Sequence, residues 1–180
     1  MKRIIRSIVV FCMLTVLLAA CAERIIEQTD VYRITEARPQ EYRYTVFSAS
    51  GKRIDCGEAS RTAPQFIRID ADVLKMTLGY GTNVYDCVYY RLSDGCRSNA
   101  FPNAIAECGG YVLYVDDEDG LPVLKAEKPF ERAKALRCVL SDLNPSLTFD
   151  EVLTDDRTQE ITLRYVNRNG ADRAVTLTLF

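Results

Sequence analysis

Ile161, Leu163 and Tyr165 alternate with polar residues, as do Val175, Leu177 and Leu179, on either side of Asn169-Gly170. Strict period two lines one face of an extended strand; a helix of 3.6 residues per turn would scatter the same residues around its circumference. Asn-Gly between two such runs is the strongest short hairpin signal, because both central residues of a type I′ turn need positive φ. The end of the chain is therefore expected to be an antiparallel strand pair with one buried face.

The same pattern recurs upstream. Tyr42, Tyr44 and Val46 share a face, Ser48-Ala49-Ser50-Gly51 breaks the run, and residues 52–56 return as a hairpin partner. Residues 57–64 read as a loop. Three meander units follow: residues 66–70, 73–79 and 84–92; then roughly 104–126, with 111–115 its clearest strand; then 149–153, 160–166 and 174–180. Gly79-Tyr80-Gly81 and Ser93-Asp94-Gly95 supply turn punctuation. The one helical candidate is residues 131–143, where Ala133, Leu136, Val139, Leu140 and Leu143 recur at helical spacing between Pro129 and Asn144-Pro145. A short strand at 136–140 is the alternative. The expected class is all-β, with antiparallel meanders forming a β-sandwich or an open, curled, propeller-like sheet. Three blades would be too few to close a ring, since propellers typically use four to eight.

The N-terminus is of another kind. Lys2, Arg3 and Arg6 precede Ile8–Ala20, which is apolar except for Thr15. A charged start, a short apolar run and small residues at its end are the parts of an export signal, and the run is shorter than the ~20 residues of a spanning helix. Leu18-Ala19-Ala20 is followed at once by Cys21. This order resembles the lipobox of bacterial lipoproteins over the first 21 residues. The resemblance implies alkylation of the Cys21 thiol with diacylglycerol, cleavage before Cys21 and acylation of the new amine. A conventional signal peptide ahead of a cysteine and an uncleaved anchor helix are the competing readings. The expected organisation is a signal peptide over 1–20, a lipid-anchored tether over 21–40 and one domain over 41–180. A first edge strand around 31–34 is the alternative within the tether. The resemblance places the protein outside the cytoplasm on a membrane, the outer one by default in a two-membrane host, since Ala22 does not match the family's Asp-type inner-membrane signal. The folded portion is also loosely similar to small uncharacterised lipoproteins of Gram-positive gut bacteria, which implies no activity.

Removal of the signal takes three basic residues and no acid, leaving 20 basic against 25 acidic residues and a net charge of −5. That balance disfavours nucleic acid as a partner, because phosphate binding calls for a basic patch. The chain has no histidine, which removes Ser-His-Asp and Cys-His catalysis and imidazole-bound zinc. Beyond Cys21 stand Cys56, Cys87, Cys96, Cys108 and Cys138, an odd number without CxxC spacing. One or two structural disulfides and a leftover thiol are expected in an exported protein. Cys96–Cys108 is the chosen pair, because the segment around Pro102 and Asn103 can fold back to the ~5.5–6 Å Cα spacing of a bridge.

Asp116-Asp117-Glu118-Asp119-Gly120 invites a calcium loop, but counting back from the glycine puts Val115 where an EF-hand needs its first acid. A solvated hairpin turn is the better reading, and nothing in the sequence calls for a metal or cofactor. Tyr85, Tyr89, Tyr90, Tyr111 and Tyr114 fall on expected strands, where packing is the default role and an exposed sugar- or peptide-binding face the alternative. The expected function is a membrane-anchored binding or scaffolding module for an envelope protein or glycan, without catalysis. The alternative is a histidine-free, carboxylate-dependent hydrolase.

Overall fold

The computed structural model describes residues 23–81, 84–131, 136–143 and 149–179. The segment over 1–20 expected to be a signal, and Cys21, lie outside the described residues. The class is all-β, and no described residue is helical.

Among the described residues, sixteen strands form four antiparallel sheets, each a meander in chain order. The first sheet comprises β1 (Arg24–Gln28), β2 (Tyr32–Arg38), β3 (Glu41–Phe47) and β4 (Arg53–Ser60). The second comprises β5 (Gln65–Arg68), β6 (Val73–Gly81), β7 (Val84–Arg91) and β8 (Cys96–Arg97), with β9 (Phe101–Pro102) also paired to β7. The third comprises β10 (Ala104–Cys108), β11 (Tyr111–Glu118), β12 (Leu121–Glu127) and β13 (Leu136–Val139). The fourth comprises β14 (Phe149–Asp155), β15 (Glu160–Val166) and β16 (Asp172–Thr178).

The sheets pack face to face in the order in which the chain makes them. Ile34, Tyr44 and Val46 of the first sheet meet Leu74, Met76, Val88 and Tyr90 of the second. The opposite face of the second sheet, with Cys87, Tyr89 and Phe101, meets Val112 and Tyr114 of the third. The other face of the third sheet, with Tyr111, Leu113 and Leu124, meets Ile161, Leu163 and Tyr165 of the fourth. The two inner sheets are therefore buried on both sides. Tyr89 and Tyr90 are neighbours in β7 and both buried, as are Val112 and Leu113 in β11. The outer sheets keep one wet face, which is why β3 and β15 alternate cleanly.

Three expectations are corrected. Residues 24–38 are not a tether: β1 and β2 pair with each other and with β3, and Val31, Tyr32 and Ile34 join the core. The mixed charges of this stretch sit on the solvent side of an outer sheet. Second, residues 136–139 form strand β13, the alternative to the helix expected over 131–143, of which residues 132–135 lie outside the described residues. It continues the ladder from β12, with Ala126 opposite Leu136 and Leu124 opposite Cys138. Pairing an otherwise open strand edge and packing Leu136 and Cys138 against the fourth sheet outweigh the weak helical spacing. Third, β4 runs on to Ser60, where a loop is expected from residue 57.

The turn assignments differ as well. At Asn169-Gly170 only the glycine has positive φ, Gly170 N–H donates to Asn167 O at 3.0 Å, and Asn167 N–H donates to Ala171 O at 2.9 Å. This is a three-residue loop, a type I turn followed by a left-handed glycine. The two-residue turn with both φ positive occurs instead at Asp119-Gly120, where Glu118 pairs with Leu121.

Candidate functional site

The second and third sheets do not close completely over one another. At one end of their interface lies a cleft of about 460 Å³, walled by Ile69, Val73, Tyr111, Pro129 and Phe130 and carrying Asp70, Glu107 and Asp156. Strand β6 contributes Val73 to its wall and, behind the lining, Lys75 as the partner of Glu107. Lys75 alternates with Leu74 and Met76, so it points away from the first sheet and into the interface with the third. There its Nζ lies 2.5 Å from Glu107 Oε1 of β10, which also accepts the Tyr89 hydroxyl at 2.8 Å. Both ends of the ion pair are mostly covered, at 21% and 32% side-chain exposure, so it is screened less than a surface pair. Burial first, and then the bond to Glu107, hold the Tyr89 phenol far above its usual range.

The remaining carboxylates are tied down by backbone. Asp70 Oδ1 accepts the amides of Asp72 and Val73 at 2.7 and 2.8 Å, and Asp156 Oδ1 accepts the Gly109 amide at 2.9 Å. Cys108 is buried beside them, with its Sγ 3.7 Å from Asp155 O. Burial, and then Asp156, push its thiol up, so it favours the unreactive protonated form. Two cations stand over aromatic rings around the opening: the Arg91 guanidinium 5.0 Å from the Phe130 centroid and Lys128 Nζ 5.2 Å from that of Tyr111. Chemically, the cleft offers apolar and aromatic walls to one part of a ligand and fixed negative charge to another.

The residues singled out from sequence distribute differently. Cys96 lies in β8 of the second sheet and Cys108 in β10 of the third; the structure does not join them, and all five described cysteines are free thiols. The tyrosines of β7 and β11 pack in the core: Tyr89, Tyr90, Tyr111 and Tyr114 are all buried, and Tyr85 is partly covered. They form no exposed row. The acidic turn at 116–120 is a hairpin tip whose acids are engaged, Asp116 with Lys125 at 2.6 Å and Glu118 with Lys125 and Arg137. Among the described residues, no cluster of three or more acids and cysteines is placed to hold a metal ion.

Lys75, Glu107 and Phe130 escape sequence reasoning, and Asp70 and Asp156 read only as solvated acids at turns. Lys75 reads as a solvent-face residue of an alternating strand, and only the arrival of the third sheet on that face makes it part of an interface. A lysine opposite Tyr89 in a strand buried on both sides is the one signal that points to it.

Comparison with protein-family models, with curated proteins and with solved structures finds no match to the chain.

Proposed function

We propose that this chain is a lipid-anchored extracytoplasmic protein whose β domain is a binding module at the cell envelope, with the cleft between the second and third sheets as its docking site. The observation that carries the reading is the cleft's lining. Phe130, Ile69 and Val73 offer an apolar wall, and Asp70 and Asp156 are fixed beside it by backbone amides. Carboxylates held this way present charge in a set place, which favours recognition over proton transfer. The partner that fits is an envelope protein presenting a basic side chain next to an apolar one. The anchoring half of the reading rests on Leu18-Ala19-Ala20-Cys21.

Two measurements test the two halves. Mass spectrometry of the mature N-terminus should find an acyl-modified Cys21, and Cys21→Ser should leave the precursor uncut; an unmodified N-terminus elsewhere contradicts anchoring. A photoreactive amino acid at Phe130, in cells, should give a discrete crosslink to an envelope protein that Asp70→Asn with Asp156→Asn abolishes. The same crosslink from Val166, exposed on the fourth sheet, would remove the cleft from the account.

A further inference from the structure

The first sheet starts unusually close to the point of attachment. If Cys21 is the first mature residue, strand β1 begins at Arg24, three peptide steps later. Three residues span at most about 10 Å, at roughly 3.3–3.6 Å each. The acyl anchor and the start of β1 are thus separated by no more than the depth of a headgroup layer.

β1 is also the edge of its sheet, paired with β2 on one side only. A bulge interrupts its register between Ile25 and Glu27, leaving Ile26 without a partner in the ladder. Bulges of this kind re-aim side chains. Here both isoleucines stand in solvent, Ile25 at 57% and Ile26 at 42% exposure. An open edge carrying adjacent isoleucines is a liability that proteins ordinarily cover or charge. Arg24 precedes the pair and Glu27 follows it, both exposed, and Arg33 stands opposite Gln28 on β2.

From this geometry we infer that the β1 edge lies on the bilayer, with Ile25 and Ile26 inserted at the headgroup–acyl boundary beside the lipidated Cys21. The inference rests on the anchoring proposed above and adds an orientation to it. The domain meets the membrane at the β1 edge of its first sheet, and the fourth sheet, with the second and third sheets between, lies away from that contact. The short reach limits the occupant, because a protein strand paired to β1 would have to fit between the domain and the lipid surface.

The test uses the acylated wild-type protein in phosphatidylcholine vesicles containing a phospholipid with a diazirine near its glycerol backbone. Trypsin separates the acylated N-terminal peptide, which ends at Arg24, from the peptide Ile25–Arg33. Lipid adducts are expected on Ile25–Arg33 and not on Thr158–Arg164 of the fourth sheet. The acylated double variant Ile25→Asn/Ile26→Asn should lose most of the adduct on its matching peptide. Acylated protein without adducts on Ile25–Arg33 overturns the inference alone. A mature N-terminus without acylated Cys21 overturns the anchoring and this orientation together.

Discussion

The Tyr90 hydroxyl, in the middle of the second sheet, donates to Asp55 Oδ2 of the first at 2.7 Å. Asp55 in turn accepts Arg97 Nε at 2.9 Å. The pairing lets a fully buried ring keep its polar tip satisfied. The molecule repeats the device. Tyr89 donates to Glu107, Tyr114 to Glu127 at 2.5 Å, Tyr165 to Asp142 at 3.0 Å, and Tyr32 to Glu27. A chain with ten tyrosines and no tryptophan thus builds its aromatic core around carboxylates at the sheet margins.

These pairs make stability depend on alkaline pH. Burial first, and then the bond to Glu27, push the Tyr32 phenol up to about 12. Tyr89, Tyr90 and Tyr114 are raised further by the same two causes. Above about pH 10 tyrosines in the unfolded chain lose protons that the folded state retains, so stability falls as pH rises. The contribution is whole below about pH 10, and that of Tyr32 is spent once pH has passed through about 12. Urea midpoints should decline across this window, and less steeply in Tyr32→Phe. Equal slopes in the variant and the wild type would remove Tyr32 from the effect.

The two turn geometries predict different tolerance. Asp119 and Gly120 both have positive φ, whereas at the last hairpin only Gly170 does. Gly170→Val should cost about 1–3 kcal/mol from a β-branched residue held in the left-handed region. Asp119→Val should cost a similar amount, about 1–3 kcal/mol. Asn169→Val should be milder than either. A loss at Asn169 equal to that at Gly170 would restore the two-residue turn expected from sequence.

The thiols should be graded by burial. Cys56 is exposed, Cys96 and Cys138 are intermediate, and Cys87 and Cys108 are buried. Burial raises the Cys87 thiol, as it does that of Cys108. Iodoacetamide on the native protein should modify Cys56 first and leave Cys87 and Cys108 until urea is added. Early modification of Cys108 would contradict its place between the third and fourth sheets.

The legible parts of this fold are those with one wet face. In β15 and β3 alternation marks the buried side without ambiguity. The inner sheets lose that signal: Tyr89-Tyr90 and Val112-Leu113 point to opposite faces, yet both members of each pair are buried, so the run reads as apolar without saying which sheet lies where. The stacking order, and with it the cleft, is settled by packing between segments far apart in the chain. β1 and β2 hide because their outward charges resemble a linker, and β13 hides because its apolar residues also fit a helix. The resemblance of Leu18-Ala19-Ala20-Cys21 to a lipobox is a local one, and the address proposed from it says nothing about the cleft.

The central claim is that the third sheet is buried on both faces and the fourth on one. Urea midpoints of Val112→Ala, Leu113→Ala, Leu163→Ala and Arg164→Ala measure it directly. Leu113 and Leu163 sit in the same core cluster, Val112 sits in the cluster shared with the second sheet, and Arg164 faces solvent. The account predicts losses of about 2–5 kcal/mol for the two leucines. It predicts a clear loss for Val112→Ala and a change within about 0.5 kcal/mol for Arg164→Ala. A neutral Val112→Ala would mean that nothing covers that face of β11, and the stacked arrangement would be wrong.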